Sequence, residues 1–173
     1  MSRSHYATRR QVLLGTAAMA ASLAMTQVSA QDASPEAASP EEDAVGETLF
    51  AMAMSYATLD PDAGAAVYTE NAEWLNAFGD WVQGRENIRA KLTELFASDE
   101  FAAGTIVGQP SGSVTVLTDS TAVGWTYQEI EDQQVAGSDE TIPLRKNHSL
   151  AVLVKEGDQW LIAAHMFMDE NII

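Results

Sequence analysis

The stretch TAVGWTYQEIE, residues 121–131, decides the fold because its side chains alternate between two surfaces. A period of two is typical of a β-strand whose faces meet different surroundings. The bulky face is predicted to line either the core or a pocket. It carries Val123, Trp125, Tyr127 and Glu129, whereas the opposite face carries Ala122, Gly124, Thr126 and Gln128.

The same period continues on both sides of this stretch, and compact turns such as Glu156-Gly157-Asp158 separate the segments. Pro110 is predicted to bend or interrupt the first segment, because proline is poorly tolerated inside a sheet. A polar hairpin loop is predicted over residues 132–140. The pattern indicates an antiparallel meander with strands over residues 105–117, 121–131, 144–155 and 159–168.

The first half of the chain is predicted to be mainly helical. Apolar residues recur at spacings of three and four within residues 47–59, and Asp60-Pro61-Asp62 ends that helix and caps a second one that runs through Tyr68. A short strand pair over residues 71–83 precedes a third helix that begins at Gly84. Helices that cluster early and strands that cluster late indicate an α+β domain, in which a strongly bent sheet would enclose a conical pocket.

The N-terminus has the three parts of an export signal. A basic region with Arg9 and Arg10 precedes an uncharged apolar run, and Val28-Ser29-Ala30 supplies a small-x-small cleavage pattern. The run is shorter than the roughly 20 apolar residues that a bilayer span needs, which favours cleavage over anchoring. The paired arginines resemble the twin-arginine signature. We predict a signal peptide over residues 1–30, an acidic Ala/Ser/Pro linker over residues 31–43, a domain over residues 44–173, and a periplasmic or secreted location with no membrane attachment after cleavage.

The chain is acidic, with a formal net charge of −16, and its first acidic residue is Asp32. Such a surface repels phosphate, which argues against nucleic acid and anionic membranes as partners. The absence of cysteine excludes disulfides, thiolate metal sites and a cysteine nucleophile. The sequence contains neither a glycine-rich phosphate loop nor a local metal-binding spacing, so no cofactor and no metal are predicted.

Three short motifs occur in an order that one family shares. They are Ala66-Val67-Tyr68-Thr69-Glu70-Asn71-Ala72-Glu73-Trp74, Gly84-Arg85-Glu86-Asn87-Ile88 and Gly157-Asp158-Gln159-Trp160-Leu161-Ile162-Ala163-Ala164-His165. They resemble motifs of nuclear transport factor 2-like (NTF2-like) domains of the SnoaL type, with the SgcJ/EcaC-like group related to DUF4440 as the nearest subgroup. The resemblance implies a cone in which N-terminal helices pack in a strongly curved antiparallel sheet. It also implies a homodimer that forms through the convex face of the sheet, and it specifies the fold better than the function.

Histidine and aspartate supply the candidates for acid–base chemistry. His148 lies on the face of Leu150, where it is either a core residue or a general acid–base group, because histidine titrates near neutrality. His165 precedes Asp169 on the last strand, and a contact between them would orient the imidazole or satisfy a buried one. The catalytic candidates are therefore His148 and Asp60, and the residues predicted to contact a ligand are Tyr56, Trp74, Trp125, Tyr127, His165 and Phe167.

These residues leave two classes of function open. The first is an exported domain that binds a small, largely apolar molecule in its cone and could act on it by acid–base chemistry, as an isomerase, dehydratase or cyclase would. The second is a non-catalytic, dimerising module that binds a ligand or another protein. An enzyme needs an ionisable group that faces the cavity, whereas a binding module does not.

Overall fold

The structure, a computed structural model, describes residues 38–134 and 140–170 and the backbone of residues 10–13. The helices of the described part are α1 (Pro40–Thr58), α2 (Pro61–Ala66), α3 (Arg85–Phe96) and α4 (Asp99–Ala102). The strands are β1 (Arg10–Leu13), β2 (Tyr68–Leu75), β3 (Trp81–Gln83), β4 (Thr105–Thr118), β5 (Thr121–Gln134), β6 (Thr141–Glu156) and β7 (Gln159–Glu170). None of these helices combines the length and the apolar content that a bilayer crossing requires.

The strands form one sheet in the order β1-β4-β5-β6-β7-β2-β3. Strands β4 to β7 form the predicted antiparallel meander, whereas β2 pairs in parallel with β7. The sheet curves over the helices, so the predicted α+β class and its cone are confirmed. Residues 135–139, in the middle of the predicted hairpin loop, lie outside the described residues.

The predicted disturbance at Pro110 takes the form of a register shift. Pairing between β4 and β5 shifts between Val107 and Ser111, and Gly108 has a φ of 67° at that point. Glycine suits this left-handed conformation because it has no Cβ to clash with the backbone. The strand continues to Thr118, so Pro110 bends it without ending it.

Helix α1 begins at Pro40, inside the predicted linker, because a capping box forms there. Ser39 Oγ accepts the backbone N–H of Glu42, and the Glu42 carboxylate accepts the backbone N–H of Ser39. Glu41 then ties this first turn to the sheet, since its carboxylate accepts Lys155 Nζ at 2.7 Å and Trp160 Nε1 at 2.7 Å. The acidic residues at this point therefore stabilise the start of a helix.

Tyr68, predicted to belong to the second helix, is instead the first residue of β2. Helix α2 ends at Ala66, and the side chain of Tyr68 is fully buried. Tyr68 lies opposite Ile162 of β7 in the parallel pair. The start of β2 is therefore set by a partner that is distant in sequence, and local pattern cannot show this.

Strand β1 lies within the predicted signal peptide. Its backbone pairs antiparallel with β4, with Arg10 opposite Val114 and Leu13 opposite Ser111. Removal of residues 1–30 would leave β4 as the edge strand on that side of the sheet. The remainder of the predicted signal peptide and residues 31–37 lie outside the described residues.

The core lies between the concave face of the sheet and helices α1 and α3. Gly124 of β5 determines how closely α1 approaches, because a Cβ at this position would lie 2.4 Å from Leu49 Cδ1. The small face of β5 therefore points inward against α1, and its bulky face points outward. The largest fully buried side chains include Trp74, Tyr68, Ile88, Leu92, Leu153 and Ile162.

Replacing Gly124 with alanine is expected to lower the free energy of unfolding by about 1–3 kcal/mol, because the new methyl group overpacks the contact with Leu49. Leu49→Ala alone should lower it by about 2–5 kcal/mol through the cavity that it leaves. In the double variant each change makes room for the other, so its loss should be smaller than the sum of the two single losses. Urea unfolding of the four proteins measures this difference, and strictly additive losses would contradict the contact.

Candidate functional site

The candidate site is a cleft inside the cone, between the helices and the concave face of β5 and β6. It has two adjoining parts of about 290 Å³ and about 60 Å³. Their lining is mainly apolar, which suits a small and largely apolar molecule. The residues that line both parts are Tyr56, Phe101, Gln128 and Ile130.

Phe78 and Phe101 separate the cleft from a neighbouring cavity of about 330 Å³, which both residues also line. Phe78 is 65% exposed and lies on the turn between β2 and β3. Asn76 stabilises that turn, because its Oδ1 accepts the backbone N–H groups of Phe78 and Asp80. These two phenylalanine side chains therefore lie on the boundary between the cleft and that cavity.

Tyr56, Trp74 and Phe167 form an aromatic wall of the cleft, in the region where a ligand was expected to contact them. Trp74 Nε1 donates to Tyr56 Oη at 3.2 Å, and the rings of Tyr56 and Phe167 lie 5.7 Å apart. Burial raises the pKa of Tyr56, so the hydroxyl stays protonated. Because Trp74 uses only a lone pair of this oxygen, the Tyr56 O–H can still donate to a ligand.

The polar end of the cleft is formed by Arg145 and Asn147 of β6 and by their partners. Arg145 Nε donates to Asp169 Oδ2 at 2.6 Å, and Arg145 Nη1 donates to Gln133 Oε1 at 2.5 Å. Asn147 Nδ2 donates to the second oxygen of Asp169 at 2.7 Å. The side chains of Arg145 and Asp169 are only 10% and 3% exposed, so their opposite charges balance each other inside the domain.

His165 lies buried behind the aromatic wall and has Tyr68, not Asp169, as its partner. Its Nδ1 lies 2.7 Å from Tyr68 Oη, and its ring centroid lies 4.2 Å from that of Phe167. Burial lowers the pKa of His165 to about 3, so the imidazole is neutral. The expected contact with Asp169 does not form, because Asp169 is held by Arg145.

Trp125, Tyr127 and His148 lie together on the outer face of the sheet, so the expectation that they line the cone is not met. The rings of Trp125 and Tyr127 are parallel to within 9°, and the ring of His148 lies 4.9 Å from that of Tyr127. The alternation correctly grouped the bulky residues of β5. Their outward direction follows from Gly124, which places the small face of β5 against α1.

Carboxylates on the outer face hold both His148 and Tyr127. His148 Nε2 lies 2.7 Å from Glu170 Oε1, and Tyr127 Oη donates to Glu129 Oε1 at 2.6 Å. The hydrogen bond from His148 lowers the pKa of Glu170, and the hydrogen bond to Glu129 raises the pKa of Tyr127 to about 12. Because its side chain lies on the outer face of the sheet, His148 cannot exchange a proton with a molecule in the cleft.

Asp60, the other catalytic candidate, caps α2. Its Oδ1 accepts the backbone N–H groups of Asp62 and Ala63, both at 3.0 Å. This is the ordinary function of an aspartate at a helix N-terminus, and Asp60 lines neither part of the cleft. Within residues 38–134 and 140–170, no three His, Asp or Glu side chains are grouped so as to hold a metal ion.

Arg145, Asn147 and Gln128 are site residues that the sequence analysis did not identify. Arg145 and Asn147 share one face of β6 and His148 lies on the other, so they face the cone when His148 faces outward. Gln128 lies opposite Asn147 in the pairing of β5 with β6. The usable signal was the presence of an arginine and two amides on the strand faces opposite the bulky residues.

Several solved bacterial structures have the same fold. An uncharacterized protein with a cystatin-like fold from Caulobacter vibrioides is 17% identical with a TM-score of 0.65, over 75% of this chain and 89% of that chain. A ketosteroid isomerase-like protein from Erwinia carotovora atroseptica is 12% identical with a TM-score of 0.58, over 75% and 96% of the two chains. A provisionally assigned dehydratase of the NTF2-like family from Streptomyces avermitilis is 13% identical with a TM-score of 0.58, over 75% and 96%. These likenesses show the NTF2-like, cystatin-like fold alone; no family model and no curated protein matches the sequence.

Replacing His165 with glutamine is expected to flatten the pH dependence of stability in mild acid. The folded pKa of about 3 lies below the ordinary histidine value of 6.5, so the unfolded state alone takes up this proton as the pH falls. The stabilisation that the neutral His165 gives the folded state is complete above the unfolded pKa. Below that pH the free energy of unfolding falls by up to about 1.4 kcal/mol per pH unit.

Urea unfolding at about pH 7, 5.5 and 4.5 measures this loss, and the gap between wild type and His165→Gln should narrow as the pH falls. His148→Gln, which changes a histidine on the outer face, is the matched control. Its free energy of unfolding should fall with pH almost as steeply as that of wild type. Equal slopes in wild type and His165→Gln would contradict a buried neutral imidazole.

Proposed function

We propose that the domain binds a small, largely apolar molecule in the cleft of its cone. The observation that carries this proposal is the lining of the cleft, where the aromatic wall and Ile130 converge on the polar end at Arg145. Ligand sites commonly combine an apolar lining with a few polar groups that fix orientation. The likeness to a ketosteroid isomerase-like fold and to a provisionally assigned dehydratase supports a ligand-binding cone.

The geometry favours binding over acid–base catalysis. Neither catalytic candidate predicted from the sequence, His148 or Asp60, lines the cleft. A general base needs a free lone pair within reach of the proton that it removes. Asp169 lines neither part of the cleft, and its carboxylate is paired with Arg145 and Asn147. Turnover of the isomerase, dehydratase or cyclase type therefore ranks behind ligand binding.

We also propose that the domain works in the periplasm or outside the cell. The paired arginines Arg9 and Arg10, the apolar run after them and the Val28-Ser29-Ala30 pattern support export through the twin-arginine route. A chain without cysteine needs no oxidising compartment to complete its fold. Export of an already folded domain is consistent with the twin-arginine pattern and with the absence of cysteine.

Filling the cleft is expected to abolish binding. Ala57 lies on an exposed part of α1 and lines the larger part of the cleft, so Ala57→Trp places an indole in that space without touching the core. Titration calorimetry with 2-naphthol should show binding to wild type and a loss of at least about tenfold in affinity for the variant. Ala51→Trp, on an exposed part of the same helix outside the cleft, should bind like wild type. Equal affinities for the two variants would contradict this location of the site.

We propose a second function, homodimerisation through the outer face of the sheet, on a separate observation. Large apolar side chains remain exposed there, with Leu150 and Met166 each 41% exposed and Met168 57% exposed. Leu150 and Met166, together with Trp81, border a groove of about 300 Å³ on the outer surface. Contiguous apolar surface of this kind commonly marks an interface with another protein.

Replacing Leu150 with glutamate is expected to convert a dimer into a monomer, because it places a charge among the apolar side chains that border the outer groove. Each copy carries a formal net charge of −16, so wild-type association should strengthen as salt screens the repulsion. Light scattering after gel filtration, at low and at about physiological ionic strength, measures both effects. Ala51→Glu introduces the same charge on a helix and should leave the mass unchanged. A monomeric wild type at both salt concentrations would refute this second function.

A further inference from the structure

We propose that the ligand of the cleft is uncharged and that its polar end carries both a hydrogen-bond donor and an acceptor, as an amide, a lactam or a hydroxy-ketone does. The inference rests on the proposed ligand-binding function and names the class of molecule that this site takes. It follows from the charge balance of the polar end, from the hydrogen-bonding groups that remain unused there, and from the unequal sizes of the two parts of the cleft.

The first step is the charge balance. Arg145 is the only charged residue that lines either part of the cleft among the described residues, and Asp169 neutralises it at 2.6 Å. A carboxylate ligand would be attracted by the Arg145 guanidinium but repelled by the Asp169 carboxylate. A cationic ligand would be attracted by Asp169 but repelled by Arg145. Either ion would lose its hydration without gaining an uncompensated opposite charge. The site therefore favours a neutral head group.

The second step concerns the unused donors and acceptors. Arg145 donates through Nε and Nη1, which leaves the N–H groups of Nη2, and Asn147 donates through Nδ2, which leaves its carbonyl oxygen. The amide of Gln128 lines both parts of the cleft and makes no hydrogen bond to another described residue. The unused set thus contains donors and acceptors together. Leaving such groups unpaired against a ligand is costly, so the site should select a head group that satisfies both kinds.

The third step is the orientation of the ligand. Arg145 and Asn147 line only the smaller part of the cleft, of about 60 Å³, which has room for a head group of a few atoms. The ring of Phe78 covers this end, with its centroid 5.2 Å from Arg145 Cζ, and shields the hydrogen bonds from water. The apolar body of the ligand would then occupy the larger part, of about 290 Å³.

The test uses four probes that share one apolar body and differ only in the head group: 2-naphthamide, 2-naphthoate, 2-naphthylmethylammonium and naphthalene. Titration calorimetry of the wild-type protein is expected to show that 2-naphthamide binds at least about tenfold more tightly than each of the other three. Naphthoate or naphthalene binding as tightly as the amide would overturn the inference and leave the proposed function standing. Failure of all four probes to bind would overturn both.

Two variants identify the groups responsible. Asp169→Asn removes the negative charge while keeping the shape, so Arg145 becomes an uncompensated cation and naphthoate should gain at least about tenfold relative to naphthamide. Gln128→Leu keeps every charge and should lose most of the preference for naphthamide over naphthalene while still binding naphthalene. His148→Gln, on the outer face, should keep the wild-type order of affinities. A preference for naphthamide over naphthalene as large in Gln128→Leu as in wild type would overturn the assignment even if Asp169→Asn failed to fold.

Discussion

The close approach of α1 to β5 at Gly124 determines which side of the sheet encloses the cleft. A Cβ at this position would lie 2.4 Å from Leu49 Cδ1, so a larger residue would force the Leu49 side chain to move. Because side chains alternate along a strand, this one contact directs Gln128 inward and Tyr127 outward. The pairing with β6 then sets the direction of the side chains on the next strand. Asn147 lies opposite Gln128 and faces inward with it. The polar end and the outer face therefore both depend on a position that has no side chain.

The position of α1 along the sheet is fixed separately, at its first turn. The Lys155 ammonium, and after it the Trp160 indole, hold the pKa of Glu41 below its ordinary value, so the carboxylate stays charged and keeps both partners. Those partners lie on β6 and β7 near the turn that joins them. With its start held at the sheet and its middle seated on Gly124, the helix can present Tyr56 to the cleft in one orientation.

Local pattern was sufficient for the meander, because each strand and turn depends mainly on its own residues. The Ser39 capping box was also a local signal, although the Ala, Ser, Pro and acidic composition around it favoured a linker. Two features were not predictable in this way. Periodicity shows that Trp125 and Tyr127 share a face but not which face is inward, since that depends on Leu49, which is distant in sequence. The pairing of Arg145 with Asp169 likewise depends on the register of β6 with β7, which no local motif specifies.

Under the proposed function, the Arg145–Asp169 pair is better explained by recognition of the ligand than by stability. A buried ion pair recovers little more than the hydration that its charges lose, and apolar residues of similar volume stabilise a core as well or better. Removing one partner alone costs about 3–5 kcal/mol, so such a pair is retained as a unit once it is present. Here the pair borders the cleft, and the N–H groups that Asp169 and Gln133 leave unused belong to Arg145. Recognition of an uncharged ligand calls for fixed hydrogen-bond donors without a net charge. Arg145 supplies the donors, and Asp169 neutralises the charge of its guanidinium.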